Sequence, residues 1–334
     1  MKKQYQAVTA AEAVKVIKSG DHVHISSVSN VPQCLVKALC DRGRAGELKN
    51  VYIHHLHTEG AAPYVNPEFE GIFQHNAFFV GANVRESVQK GLADYIPVFL
   101  GETSKLYRER YIKCNVAMIQ VSPPDKFGYV SLGSSVDATL AAMECAEFTI
   151  AVVNRHVPRS LFVMGSQKIY NFIDSNPQVL MKDVEYTNDP FIIAQQPRMT
   201  SINSAIQVDL SGQVCADSLG DKIYSGVGGQ IDFVYGASRA KGGKAIIAMP
   251  STTRRGINKI VPALDLGSGA VTTRNHIHWF VTEYGAVNLY GRSLQERAKL
   301  IISIAHPQFQ EELEKAAFHR FGPHYHYVCK NNVF

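Results

Sequence analysis

Two stretches of this chain carry the same features in the same order, and this constrains the fold more than any single motif. Ile119-Gln120-Val121 precedes Asp125-Lys126-Phe127-Gly128-Tyr129-Val130, and Ile206-Gln207-Val208 precedes Asp209-Leu210-Ser211-Gly212-Gln213-Val214. Both hexapeptides read D-x-x-G-x-V. Gly133-Ser134-Ser135-Val136-Asp137-Ala138-Thr139-Leu140-Ala141-Ala142 then aligns without a gap to Gly228-Gly229-Gln230-Ile231-Asp232-Phe233-Val234-Tyr235-Gly236-Ala237. Each copy runs on into an apolar strand, Phe148 to Val153 and Ala245 to Met249. A duplicated domain accounts for all of this. The copies are unequal: if the first ends near Pro158, Gly228 has only about 70 residues of its own copy before it, against 132 before Gly133. The second copy is short at its front.

The local pattern gives the class. Ala10 to Lys18 is helix-forming and is stopped by Ser19-Gly20-Asp21; His22-Val23-His24-Ile25 then alternates as a strand. Pro32 opens a second helix that runs to about Cys40, and Val51 to His55 is a further strand. Val116 to Val121 and Phe148 to Val153 read as strands buried on both faces. Short strands alternating with helices predict α/β domains with mostly parallel sheets, placed at 1–160 and 161–334. The break at Asn154-Arg155-His156-Val157-Pro158 leads almost at once into another apolar run, Leu161 to Gly165.

Composition excludes several classes. With 46% apolar and 19% charged residues the chain is not disordered. No apolar run approaches a membrane span, and no apolar stretch follows Lys2-Lys3 as a secretory signal requires. A net charge of +5 on 334 residues fits an enzyme with an anionic ligand better than a nucleic-acid binder. Six scattered cysteines with no C-x-x-C pair read as free thiols in a reducing cytoplasm, and no metal site is expected on them.

The chemistry concentrates around Ser225-Gly226-Val227-Gly228-Gly229-Gln230. Its glycines let the backbone approach a ligand and aim N–H groups at an anion, with Ile231 to Ala237 behind as a helix; the competing reading is a tight turn that closes a strand. Ser122-Pro123-Pro124-Asp125 and Ser131 to Ser135 form the corresponding loop of the first copy, as ligand lining or as a rigid hairpin. His54-His55-Leu56-His57-Thr58-Glu59 invites a metal, but polar residues at a strand end are the preferred reading. His276 and His278 are read the same way, and His319, His324 and His326 as part of a docked tail. Glu283 ends the strand Trp279-Phe280-Val281, where α/β active sites form, though a cap is the commoner role. Lys244, Arg254 and Arg255 flank the strand after the glycine loop and suit phosphates. G-x-S-x-G, a Walker loop and G-x-G-x-x-G are all missing.

Taken together, Val121-Ser122-Pro123-Pro124-Asp125, Ile202-Asn203-Ser204, Gln207-Val208-Asp209, Ser225 to Phe233, Lys244 to Ser251, Val271-Thr272-Thr273-Arg274-Asn275, Val281 to Gly285 and Ile304-Ala305-His306-Pro307 resemble the acetyl-CoA hydrolase/transferase family. The likeness is strongest to its 4-hydroxybutyrate and butyryl-CoA:acetate CoA-transferase branch and covers nearly the whole chain. It implies two similar CoA-transferase-like domains with the active site between them, and coenzyme A as a substrate rather than a resident cofactor. It also implies a ping-pong exchange. A glutamate attacks an acyl-CoA thioester to give an anhydride, the released CoA thiolate converts this to a glutamyl-CoA thioester, and an incoming short-chain carboxylate reverses the steps. Residues like Asn203, Gly226, Gly228, Gly229 and Gln230 line the CoA site of the family, and Arg254, or less well Lys244, meets CoA phosphate.

The resemblance also exposes a departure. Relatives carry roughly a hundred further residues, a segment of near-domain size, between the positions matching Ser160 and Leu161. That segment holds the nucleophilic glutamate, so the catalytic residue of this chain is unknown. Three readings stay open: a CoA-transferase whose natural product includes the segment, a CoA-binding remnant, and an isomerase of sugar phosphates on a related fold. The first is preferred. The partners expected are an acyl-CoA, a short-chain carboxylate and other copies of the chain in a homo-oligomer.

Overall fold

The computed structural model describes residues 7–133, 135–154, 165–176, 178–322 and 325. The chain forms two compact units, Met1–Thr187 and Asn188–Phe334.

In the first unit six strands form one sheet: β1 (His22–Ile25), β2 (Val51–His55), β3 (Phe73–Ala77), β4 (Asp94–Tyr95), β5 (Val116–Val121) and β6 (Phe148–Val153). Their order is β4-β3-β2-β1-β5-β6 and every pairing is parallel. The chain builds outward from β1 to β4, then returns to the other side of β1, so the order reverses between β1 and β5. The first helix is shorter than its composition predicts. Thr9 and Glu12 form a reciprocal capping box over Ala10–Ala13, and Val14-Lys15-Val16, with two β-branched residues, tightens into a 3₁₀ turn. The second is longer, Gln33–Arg44 with Pro32 at its cap, and packs Leu35, Val36, Leu39, Cys40 and Gly43 inward. A Cβ on Gly43 would stand 3.0 Å from the Phe73 ring, so glycine lets this helix lie close on β3. Residues after the helix Gln167–Ser175 stay with this unit: Asp183 and Glu185 both pair with Arg108, which also meets Glu144.

The second unit has a four-stranded sheet, β15-β14-β12-β7, made of β7 (Thr200–Asn203), β12 (Lys244–Ala248), β14 (Trp279–Thr282) and β15 (Gly285–Asn288). Only the β14–β15 hairpin is antiparallel. A three-stranded sheet of β8 (Gln207–Asp209), β9 (Val214–Cys215) and β13 (Ile260–Val261), and a small hairpin of β10 (Ser218–Leu219) and β11 (Lys222–Ile223), complete it. Val208, Val234, Ile247, Phe280, Ile301 and Leu313 share one core. No helix among the described residues is long and apolar enough to cross a membrane.

The duplication is visible in hydrogen bonds. In the first copy Asp125 Oδ1 accepts from the N–H groups of Phe127 and Tyr129, the Asp125 carbonyl accepts from Gly128, and the Asp125 N–H donates to Tyr129 O. In the second copy Asp209 Oδ1 accepts from Ser211 and Gln213, its carbonyl accepts from Gly212, and its N–H donates to Gln213 O. Gly128 and Gly212 sit at φ of +88° and +91°, which a side chain would strain. Counting nine residues back from each aspartate reaches Val116, where β5 begins, and Thr200, where β7 begins. The copies therefore align on these aspartates, with β5 matching β7 and β6 matching β12, and not on the Ile-Gln-Val triplets.

One expectation is corrected. Phe148 to Val153 forms the strand as read but is not buried: Phe148 is 53% and Val153 56% exposed, and no residue of β6 is fully covered. β5, of similar composition, is buried almost throughout because β1 and β6 flank it.

Candidate active site at the C-terminal end of the second sheet

Asn203 closes β7 opposite Ile247 of β12, and Glu283 follows directly on β14. Parallel register thus brings Asn203, the Met249–Ser251 exit of β12 and Glu283 to one end of the sheet. The helix Gln230–Arg239 packs against β12 and β7 and reaches β12 through residues 240–243 only. Such a short return makes it antiparallel to the strands, so its N-terminus lies over that same end. The glycine turn stands immediately before it. The N–H groups of Tyr224 and Ser225 both donate to Asp217 O, at 2.7 and 3.0 Å, which fixes the start of the turn. Gly228 takes φ +59°, a left-handed conformation, and Gly229 is a helix cap without a side chain. The turn therefore offers backbone N–H groups and the positive end of a helix dipole.

The side chains sort themselves by partner. Gln230 is turned inward, its Nε2 donating to Thr272 Oγ1 at 3.1 Å, so its backbone rather than its amide faces the turn. Asp232, buried, accepts from Asn188 Nδ2 at 3.0 Å. Asn203 Oδ1 accepts from Ser201 Oγ at 2.7 Å. Glu283 accepts from the Ser251 N–H at 2.8 Å and from Ser251 Oγ at 2.6 Å, one bond to each carboxylate oxygen. Burial acts to raise the Glu283 pKa, but the two Ser251 bonds outweigh it and hold the carboxyl below its ordinary range. Lys259, half-buried, has its ammonium pKa lowered by burial, partly offset by the charge of Glu283. A carboxylate held this way is a fixed anion beside a cation, well placed to position the sheet end and poorly placed to attack a carbonyl.

Strand register and helix direction put Asn203, Glu283 and the turn Gly226, Gly228, Gly229 and Gln230 at the same end of the second sheet. Arg254 joins their side of the sheet, exposed in the loop that leaves β12 and is closed by the Thr252–Asn258 bridge. Lys244 does not join them. It is the first residue of β12, paired with Thr200, and so lies at the opposite end of the strand, roughly 13 Å away at the rise of a β-strand. Ser251, Lys259 and Thr272 were not singled out from sequence. Ser251 alone had a usable signal, a hydroxyl three residues past a parallel strand.

The histidines of the first unit have other partners. His55 stacks on His75 at 4.2 Å and meets Tyr64 OH through Nε2 at 2.8 Å, whereas His57 contacts Glu59 Oε1 at 2.7 Å. They therefore share no common ligand direction. Among the described residues no group of three or more His, Cys, Asp or Glu side chains is arranged to hold a metal ion. His276 bonds Thr273 Oγ1, and the His278 ring lies tilted against Tyr290. His319 lies in the helix Pro307–Phe321; His324 and His326 fall outside the described residues, as do Arg155 to Met164 and Cys329. Cys40, Cys114 and Cys215 are buried free thiols, and Cys34 and Cys145 are exposed ones. Residues 122–131 close as a hairpin, with Ser122 and Ser131 bonded to each other.

Comparison with known proteins agrees in both halves. Residues 1–173 match the model of the acetyl-CoA hydrolase/transferase N-terminal domain and residues 165–317 that of the C-terminal domain. The chain is 35% identical to a succinyl-CoA:acetate/propanoyl-CoA:succinate CoA transferase of Fasciola hepatica, over 92% of this chain and 87% of that protein. It is 33% identical to the 4-hydroxybutyrate coenzyme A transferase of Clostridium kluyveri, over 94% and 97%. The crystal structure of RipA from Yersinia pestis superposes with a TM-score of 0.87 at 27% identity, over 94% of this chain and 97% of that one. The Fasciola alignment spans 417 positions and this chain has 334 residues, so at least 83 positions of it have no counterpart here.

Proposed function

The chain belongs to the acetyl-CoA hydrolase/transferase family, and on that premise we propose that it moves CoA between an acyl-CoA and a short-chain carboxylate. The observation that carries the reading is the Gly226–Gly229 turn, opening a ten-residue helix with a glycine cap at the C-terminal end of a parallel sheet. Backbone N–H groups there suit the anionic parts of CoA and the oxyanion that develops when a thioester carbonyl is attacked. Arg254, on the same side, suits a CoA phosphate. The exchange follows the glutamyl-CoA ping-pong route. A glutamate carboxylate displaces CoA thiolate from the acyl group, and the thiolate then displaces the acyl carboxylate from the mixed anhydride. The incoming acid runs both steps backwards, so the thioester bond energy is retained throughout. Coenzyme A enters and leaves as a substrate.

The nucleophile of that route is assigned outside the residues of this chain. Glu283, with both oxygens held by Ser251, favours a second reading of the 334-residue chain by itself: a module that binds CoA without transferring it. Calorimetric titration with CoA and an exchange assay with butyryl-CoA and labelled acetate separate the two. Under the proposal the chain binds CoA, and Gly228→Ala weakens binding several-fold because the left-handed turn costs a side chain about 1–2 kcal/mol. Exchange requires the additional family segment. Absence of CoA binding at millimolar concentration would sink both readings.

A further inference from the structure

We propose that the second unit carries an anion site of its own at the N-terminal end of β14, where Arg274 and Arg297 jointly bind a phosphate-type dianion. The site uses none of the residues at the glycine turn and does not depend on the transferase reading.

Arg297 carries the argument. It is only 8% exposed, and it is the fourth residue of the helix Leu294–Ser303, where the positive end of the helix dipole disfavours a cation. Its Nη1 donates to Arg274 O at 2.6 Å and to Ser211 O at 3.4 Å, and its Nε donates to Arg292 O at 3.4 Å. Its Nη2 has no hydrogen-bond partner among the described residues. Carbonyl oxygens satisfy N–H groups but leave the charge uncompensated, and buried charges are ordinarily paired. The surroundings add positive charge instead. Arg274 is half-buried, and among the described residues its side chain forms no ion pair. Burial, and after it the charge of Arg274, lowers the Arg297 pKa; burial and then the charge of Arg297 lower that of His278. The nearby carboxylates are engaged elsewhere. Glu296 caps Ser293 and pairs with Arg292, and Asp209 serves Ser211, Gln213 and Arg320.

The duplication shows that the local fold does not require this pair. A Cβ on Gly212 would stand 3.0 Å from Arg297 Nη1 and 3.9 Å from Arg274 Cβ, so both arginines border the Asp209 turn. A Cβ on Gly128, in the matching Asp125 turn, would meet nothing within 4 Å. The same turn therefore forms without an arginine over it. The place is also distinct from the candidate active site. Arg274 precedes β14 and Glu283 follows it, so the four residues of that strand, about 13 Å, lie between them. Two guanidinium groups without a carboxylate suit an oxyanion of two charges, held by charge-assisted hydrogen bonds.

The test is thermal unfolding of the chain in inorganic phosphate and in sodium chloride of equal ionic strength. Phosphate should raise the second unit's midpoint by about 2–4 °C over chloride. Arg274→Gln should abolish that difference, whereas Gly228→Ala and Arg254→Gln should keep it. Arg274→Glu supplies the missing carboxylate within the chain, so in chloride its midpoint should exceed that of Arg274→Gln. Equal wild-type midpoints in the two salts overturn the proposal. So does a phosphate effect that survives Arg274→Gln, or an Arg274→Glu midpoint at or below that of Arg274→Gln. Should the variants fail to fold, phenylglyoxal labelling of the wild type decides: phosphate should protect Arg274 from the reagent, and labelling unchanged by phosphate overturns the proposal. Titration with CoA separates free phosphate from the phosphates of a substrate. Arg274→Gln should bind CoA as the wild type does, and binding weakened several-fold assigns the pair to the CoA site and overturns a separate one. A wild type that shows the phosphate effect but fails to bind CoA leaves this site standing and removes the transferase reading.

Discussion

Acidification should unfold the first unit well above the pH at which its carboxylates protonate, because its sheet encloses neutral histidines. His24 bonds Tyr107 OH through Nδ1 at 2.9 Å and Thr139 Oγ1 through Nε2 at 3.2 Å. His54 stacks against His22 and Phe78, and His75 lies against His55 and Tyr64. Burial is the main cause that lowers the pKa of His24 and His54 to about 3 and of His75 to about 4, and it also lowers His55 strongly. In the unfolded chain each titrates near 6.5. Between the two values the unfolded state binds protons that the folded state does not, so stability is full above pH 6.5 and falls as pH drops toward 3. At pH 5 each of the three histidines with a stated value costs about 2 kcal/mol relative to pH 8, together about 6 kcal/mol. That is comparable to the whole stability of a typical domain, about 5–15 kcal/mol. Asp137, whose carboxyl burial pushes up, takes a proton in the folded state as pH falls and offsets part of the loss. Urea unfolding followed by a first-unit probe at pH 8, 6 and 5 measures the slope. About three protons should be taken up on unfolding near pH 5. A free energy that is flat across this range, or an uptake of less than one proton, refutes the claim that these imidazoles are neutral and enclosed.

Other substitutions test particular contacts. Tyr107→Phe leaves His24 Nδ1 buried without its partner and should cost about 1–3 kcal/mol in urea unfolding at pH 8. Asp209→Ala should destabilise by about 2 kcal/mol or more and Asp125→Ala by about 1 kcal/mol or less, although the two turns are alike. Asp209 is buried and also meets Arg320, whereas Asp125 is exposed; equal losses in thermal unfolding would contradict this. Gly236→Ala places a Cβ 2.5 Å from Ile193 Cγ2 and 3.1 Å from Pro190 O. It should lower stability by about 1–3 kcal/mol through overpacking of the two helices, read by calorimetry of the second unit's transition.

Much of the first unit was legible in the residues. β1, β2, β5 and β6 lie where hydrophobic alternation and apolar runs put them, because strand period and β-branched content are local properties. Helix ends were less legible. The first helix stops after Ala13 because the valines that follow favour a tighter turn, and the second runs on past Cys40 to Arg44. At the candidate site the residues themselves pointed to the glycine turn, Glu283 and Arg254, since glycine clusters and strand ends announce themselves; Asn203 came only from the family resemblance. The sequence could not separate Lys244 from them, because proximity along the chain says nothing about which end of a strand a residue occupies. Nor could it disclose that Ser251 occupies both oxygens of Glu283, a contact across 32 residues.

Sequence alone determined the α/β class, the duplication and the shortness of the second copy, because periodicity and self-similarity are properties of the chain itself. Tertiary structure alone decided three things. It set the register of the duplication, through the matched hydrogen bonds of Asp125 and Asp209. It decided the burial of the strands: β5 and β6 are nearly interchangeable as sequences, yet one is enclosed and the other open, because burial depends on the neighbours a strand acquires. And it put β6 at the edge of its sheet among the described residues, which only the order of strands in space could reveal.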